Sequence, residues 1–427
     1  MATDVLIIGG GGREHSLVWK LKQSPRVGKI CVAPGNGGTD LMVENVPIDV
    51  MDFENLAKFA KEKNIGFTIV APDDPLAGGA VDFLQSKGLR VWGPMKAAAQ
   101  IEGSKAFAKE FMARAKIPTA EFKIFTSASQ ALAYLHSHGA PVVVKASGLA
   151  LGKGVYVCHT TEEAETAIDE IMVKRVHKDS GNEVVIEDFL EGHEISVHAL
   201  TGGIDYILFP SSQDHKRALD NDQGKNTGGM GVIAPVPWVS EEMMSEIEAQ
   251  VVAPAFQEFK KRGIEYKGIL YPGIMMTASG PKVLEFNARF GDPECQVYMR
   301  LLRSDLLDLL EASVDSNIFA IKHAVEWDQG FAVNIVLASG GYPDEYKKGL
   351  PITGIEEAEK ISGVVVFHAG TKMDNGQLVT TGGRVLGVSA VGGTLKEALD
   401  SAYKAIDKIH FEGMQYRHDI GAKSLAL

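Results

Sequence analysis

The alternation of short β-branched runs with amphipathic stretches over the first hundred residues constrains the fold more than any other feature of this chain. Val5-Leu6-Ile7-Ile8, Ile30-Cys31-Val32-Ala33 and Phe67-Thr68-Ile69-Val70 have the length and composition of buried strands. Stretches near 14–23 and 53–63 carry apolar residues at helical spacing between them. Strand, helix, strand at this spacing predicts a parallel sheet with right-handed crossovers, a Rossmann-like α/β unit. The turn Ala71-Pro72-Asp73-Asp74-Pro75 and the pair Gly93-Pro94 punctuate its end.

Further along the rhythm changes. A helix carrying Lys105 and Lys109 is predicted from Ser104, ending ahead of Pro118. Two buried strands, at 141–146 and 184–188, flank an exposed helix at 162–174, a small inserted α/β subdomain. Residues 211–231 are polar and glycine-rich and read as a long functional loop. A helix at 240–262, strands at 268–276 and 282–287 and an apolar helix at 304–314 follow. After Trp327 come strands at 331–339, 363–370 and 383–391, a turn at Asp374-Asn375-Gly376 and a last helix at 394–409, mostly antiparallel α+β. A length of 427 residues exceeds what one core supports. The expected class is therefore multidomain α/β and α+β: residues 1–103 a substrate-binding α/β domain, 104–327 a central domain with a lid at about 120–190, and 328–427 a C-terminal α+β domain.

A formal net charge of −12 argues against a general nucleic-acid binder, which needs clustered cations. Cys31, Cys158 and Cys295 are widely spaced, so neither a disulfide framework nor a zinc site is expected and a reducing compartment fits. No apolar run approaches twenty residues and the first strand begins without a charged leader, so no membrane span and no signal peptide are expected. Cytoplasmic residence is the expectation.

The strand Val283-Leu284-Glu285-Phe286-Asn287-Ala288-Arg289 alternates apolar residues with a carboxylate, an amide and a guanidinium. Residues two apart on a strand share a face, so Glu285, Asn287 and Arg289 converge. Two hard oxygen ligands suit Mg²⁺, and a permanent cation beside them suits a phosphoryl oxygen. A solvated edge strand is the plain alternative. Val142-Val143-Val144-Lys145 places a lysine at the end of a buried strand, and Lys153 sits in the glycine loop that follows Ser147 and Gly148. Paired lysines there neutralise nucleotide phosphates. The spacing is not that of a Walker loop, because Gly154 occupies the Ser/Thr position. Backbone groups along Glu187-Asp188-Phe189-Leu190 suit an adenine edge and Glu194 suits ribose hydroxyls.

Gly9-Gly10-Gly11-Gly12, after a strand and before a helix, is a phosphate-receiving geometry. The third small residue of the dinucleotide fingerprint is missing, and the second strand ends in Ala33-Pro34-Gly35-Asn36 where a ribose-binding acid belongs. A nicotinamide cofactor is therefore disfavoured, while a ribose phosphate remains open beside a purely structural turn. His15, His193 and His215 lack metal-ligand spacing, and no nucleophile elbow is present.

Taken in order, these segments resemble the ATP-grasp superfamily of carboxylate-amine ligases. Gly11-Gly12-Arg13-Glu14-His15, Gln213-Asp214-His215-Lys216-Arg217, Asn226-Thr227-Gly228-Gly229-Met230-Gly231 and Phe290-Gly291-Asp292-Pro293-Glu294 narrow the resemblance to the glycinamide ribonucleotide synthetase family. That resemblance spans essentially the whole chain. It implies ligation of glycine to 5-phosphoribosylamine through glycyl phosphate, with ATP and Mg²⁺ or Mn²⁺, in purine biosynthesis. It implies Glu285 and Asn287 as metal ligands, and Arg289, Lys145 and Asp214 as catalytic groups. Around ATP it implies Lys105, Lys145, Ser147, Gly148, Lys153, Glu187, Asp188, Phe189, Leu190, Glu194, Arg217 and Asn226. Around the other substrates it implies Gly10, Gly11, Gly12, Arg13, Pro34, Gly35, Asn36, Asp214, Lys216, Arg289, Gly291 and Asp292. Partners are then small molecules only, and the protein a monomer or small homo-oligomer. Ala71-Pro72-Asp73-Asp74-Pro75-Leu76 departs from the family's usual Gly-Pro-Glu-Ala-Pro-Leu, and Leu151 replaces a usual alanine. The strand at 268–276 carries no carboxylate, so a second metal would depend on Glu285 or on phosphate oxygens.

Overall fold

Five parallel strands in the order Glu44–Asn45, Val27–Pro34, Thr3–Gly9, Phe67–Val70 and Val91–Trp92 make the N-terminal sheet of this computed structural model, which describes residues 2–149 and 154–426. Its central strand is apolar on both faces because both are covered. Leu6 and Ile8 share one core with Phe256 and Phe259, whereas Val5 and Ile7 share another with Tyr298, Leu307 and Leu310. Each such side chain, taken out of water, stabilises the fold by about 1.5–3 kcal/mol. The N-terminal sheet is thereby fixed against helices of the central segment.

The turn expected after Val70 becomes a short helix, Asp73–Gly78. Asp73 and Asp74 lie in its first turn, where carboxylates complement exposed N–H groups, and Gly79 ends it in the left-handed region at φ 91°. The helix expected at 240–262 is interrupted: Glu241–Ile247 and Ala253–Lys261 are joined by a π turn, Glu248–Val252. Pro254, which has no N–H to give, sits just after that turn, where a widened ladder tolerates it.

Antiparallel strands Phe122–Phe125, Val184–Asp188, Val142–Ala146 and Val155–Cys158 form a separate sheet with its own small core, including Leu135, Val144, Ile168 and Ile186. The central sheet is built on the hairpin Lys267–Thr277 and Gly280–Asn287. Its register slips between Gly273↔Glu285 and Ile274↔Val283, so Leu284 is an unpaired bulge residue.

The segment 211–231 is not an irregular loop. Gln213–Asp214 and Gly231–Ala234 join the C-terminal sheet with Phe331–Ala338, Arg384–Gly392 and Val364–His368, while Arg217–Leu219 and Gln223–Asn226 form a hairpin. Asn221 and Asp222 take positive φ in its turn, which their short polar side chains tolerate. Buried Arg417 pins it, Nη1 reaching Asp222 Oδ1 at 2.8 Å and Nε reaching Asp419 Oδ1 at 2.8 Å. Strands from both sides of residue 328 therefore share one sheet.

Candidate active site

Between the four-stranded sheet, the central hairpin and the 217–226 hairpin opens a cavity of about 1030 Å³. Glu285, Asn287 and Arg289 all line it, at the end of one strand, as their alternation requires. The bulge beside them frees the Leu284 carbonyl, which accepts from Lys145 Nζ at 3.1 Å. Lys145 and Lys109 contact the two oxygens of buried Glu187. Lys216 contacts Glu194 and lies 3.5 Å from Glu285 Oε1. Arg289 pairs with buried Glu102 at 2.8 Å.

These pairings set the protonation states. Burial alone would raise the Glu285 carboxyl, but Lys216, Lys105, Lys145 and Arg289 outweigh it and hold it at about 2. An ionised carboxylate with the Asn287 amide oxygen beside it is a hard-oxygen donor pair that fits Mg²⁺, a cation that keeps most of its shell for water and phosphate. Among the described residues no group of three or more His, Cys, Asp or Glu could hold a metal. Burial, and then Glu294, pushes the Asp214 carboxyl well above its ordinary value. Burial lowers Lys109 to about 7, and burial followed by Lys109 lowers Lys145 well below the usual lysine range. For Asp292 burial works upward, but Arg384 and Arg13 outweigh it.

Asp188, Phe189, Leu190, Glu194, Asp214, Lys216, Arg217, Asn226, Asp292, Lys105 and Arg13 also line the cavity. Ser147 and Gly148 act from behind it. The Ser147 hydroxyl accepts from Ala106 N at 3.1 Å and its carbonyl from Lys105 N at 2.7 Å, which fastens the start of the helix Lys105–Ala115. The Gly148 carbonyl accepts from Lys105 Nζ at 3.4 Å. Gly291 N–H donates to His198 Nε2 at 3.1 Å and so orients the loop between Arg289 and Asp292. Lys153 and Leu151 lie outside the described residues.

Gly10, Gly11, Gly12, Pro34, Gly35 and Asn36 are not among the residues lining this cavity. Gly10 packs on Gly35, whereas Gly11 and Gly12 face Glu14, Gln296 and the cavity residue Asp292. A Cβ on Gly10 would stand 2.6 Å from Gly35 O, and Asn36 Nδ2 donates to the carbonyls of Gly10, Gly11 and His368 at 3.1, 3.2 and 2.8 Å.

Sequence reasoning missed several cavity residues. Lys109 follows Lys105 by four positions, a spacing that puts both on one helix face. Asp73 and Glu294 lie in motifs read from the sequence but were not assigned to the site, and Glu102 gave no local signal. Arg384 comes from the C-terminal sheet, donating from Nη1 to the Asp292 carbonyl at 2.5 Å and from Nη2 to Asp292 Oδ2 at 3.2 Å. His215 is structural, accepting from Gly421 N at 3.1 Å.

Family models match the chain in three parts: the phosphoribosylglycinamide synthetase N domain over residues 3–102, its ATP-grasp (A) domain over 103–295 and its C domain over 332–423. A phosphoribosylamine–glycine ligase of Caldanaerobacter subterraneus subsp. tengcongensis is 47% identical over 418 residues, 98% of this chain and 99% of that protein. The crystal structure of a phosphoribosylamine–glycine ligase from Thermotoga maritima superposes with a TM-score of 0.83 at 34% identity, covering 98% of this chain and 100% of that one. A 2-oxoglutarate carboxylase biotin carboxylase domain from Hydrogenobacter thermophilus, solved with MgADP and bicarbonate, shares the fold at a TM-score of 0.75 and 16% identity, over 97% of this chain and 92% of its own.

Proposed function

Because the chain belongs to the phosphoribosylglycinamide synthetase family, matched in all three of that family's domains, we infer that its reaction is the ATP-dependent ligation of glycine to 5-phosphoribosylamine. The products are glycinamide ribonucleotide, ADP and phosphate, a step of purine biosynthesis. What carries the reading is the family match together with a cavity wall that collects Lys145, Lys216, Glu285, Asn287 and Arg289.

In the first half-reaction a glycine carboxylate oxygen attacks the γ-phosphorus of ATP and the bond to the bridging oxygen breaks, leaving ADP and glycyl phosphate. Charge spreads over the phosphoryl oxygens, so positioned cations do most of the work. Arg289, held by Glu102 at 2.8 Å, serves the transferring group. Lys105 and Lys145 hold ATP phosphates, while the backbone of Glu187 to Leu190 and the Glu194 side chain take adenine and ribose. Glu285 and Asn287 would hold Mg²⁺ or Mn²⁺, which supplies charge neutralisation at the phosphates when bound. In the second half-reaction the amine attacks the acyl carbon, phosphate leaves, and the amine proton must be taken up. We assign that role to Asp214, which lines the cavity and whose raised pKa would let its carboxylate accept a proton more readily at neutral pH.

An acyl phosphate hydrolyses readily, so water must be excluded. The four-stranded sheet, with its own core, closes over the cavity as a lid. We take residues 1–103, 104–327 and 328–427 as substrate, nucleotide and C-terminal units, with Gln213–Asp214 and Gly231–Ala234 contributed by the nucleotide unit to the C-terminal sheet. Among the described residues no helix is long and apolar enough to cross a membrane, and we place the enzyme in the cytoplasm as a monomer or small homo-oligomer.

The test is phosphate release from ATP and Mg²⁺ by the purified protein, with phosphoribosylamine generated in place. Release that needs both glycine and the amine, with a product of glycinamide ribonucleotide mass, is expected. Release that follows another acid instead of glycine would overturn the substrate assignment.

A further inference from the structure

Lys109 has no part in the chemistry above, yet its side chain is only 3% exposed and its ammonium stands in the cavity wall. It is firmly held: Nζ donates to Thr119 Oγ1 at 2.7 Å, and Thr119 Oγ1 donates to Val283 O at 2.6 Å, on the strand that carries Glu285. Its charged partner is Glu187 Oε2. The other oxygen, Oε1, belongs to Lys145.

Two buried ammoniums thus share one buried carboxylate. Glu187 alone does not neutralise both; Lys145 also feels the Glu285 carboxylate, and the positive charge left on the pair is costly away from water. A purely structural pair needs only one lysine. The arrangement does make sense if an anion arrives. Each oxygen of Glu187 serves one lysine, so Lys145 can turn to a phosphate without disturbing the contact with Lys109.

We infer that Lys109 is a positioning residue that keeps Glu187 neutralised when Lys145 moves to the nucleotide phosphate, so that no bare carboxylate is left beside the incoming anion. This rests on the reading that the cavity takes ATP. Without Lys109, Glu187 would have Lys145 as its remaining ammonium partner, and carboxylate and phosphate would compete for one cation.

The test is a set of variants of the full-length protein, Lys109→Met, Lys109→Arg and Lys109→Met combined with Glu187→Gln, each titrated calorimetrically with ADP and Mg²⁺ and assayed for KM of ATP and of glycine. Lys109→Gln, which keeps a partner for Thr119, replaces the Met variants if melting shows that these do not fold. The single neutral variant is expected to bind nucleotide about tenfold or more weakly, the scale of one charge-assisted contact, with the KM of glycine little changed. Lys109→Arg, keeping the charge, stays close to wild type. The double variant, with the competing carboxylate removed, recovers most of the loss, which a merely structural defect would not do. A neutral variant that binds as wild type does, or a double variant no better than the single, overturns the inference. Failure of the wild type itself to bind ADP with Mg²⁺ would instead overturn the reading of the cavity.

Discussion

The cavity wall and the N-terminal glycine turn are both polar, glycine-bearing strand ends, but they dispose of their polar groups in opposite ways. At the turn the Asn36 side chain and the Gly11 N–H close on the chain itself. Asn36 spends its amide on three carbonyls and its oxygen on Gly38 N and Thr39 N, and Gly11 N–H goes to Glu14. In the wall, buried charges share partners: Lys109 and Lys145 share Glu187, and Lys216 lies between Glu194 and Glu285. A satisfied polar cluster is architecture, whereas a buried cluster with perturbed protonation is where a ligand finishes the pairing.

The largest effects should come from the wall. Glu285→Ala or Lys145→Ala is expected to lower kcat/KM by about 10²–10³-fold, the size of losing one charge-stabilising group, while melting stays near wild type. Unchanged turnover in either would erase the distinction between the two regions. Asp214→Asn should follow, with a loss of about 10²-fold in the amine-dependent step. Because the folded carboxyl is held above its ordinary value, activity that needs it ionised rises with pH through that raised pKa, and the acid limb of the pH–rate profile should vanish in the variant. Asn36→Ala probes the other region: it should cost about 1–3 kcal/mol of stability by stranding buried carbonyls and removing a helix cap, with kcat/KM nearly kept in folded protein. A stable Asn36→Ala protein that has lost its amine substrate would make the turn part of the site. The smallest effect is expected from Lys225→Ala, whose pair with Asp344 is exposed (69% and 62%). Denaturant titration should show a change below about 1 kcal/mol.

Strands buried on both faces were the most legible parts of the fold. Phe67–Val70 and Val184–Asp188 have the predicted ends, because a continuous apolar run bounded by polar residues leaves little freedom. The 213–226 region was misread as a loop, since the stability of its hairpin comes from Arg417, some two hundred residues away. In the site, Glu285, Asn287 and Arg289 were legible because strand alternation is local. Arg384 was not: nothing near it in sequence marks it, and only the pairing of the C-terminal sheet brings it to Asp292. Asn36 shows the converse, a polar residue in a suggestive motif whose groups the fold has already used.

The contrast between wall and turn is tested most directly by a crystal structure of the protein with Mg²⁺ and a non-hydrolysable ATP analogue. The expected result is a metal ion on Glu285 and Asn287, phosphates on Lys105 and Lys145, and adenine along Glu187 to Leu190, with no nucleotide at Gly9 to Gly12. Phosphates seated on that N-terminal turn, with Glu285 and Asn287 bare, would contradict it.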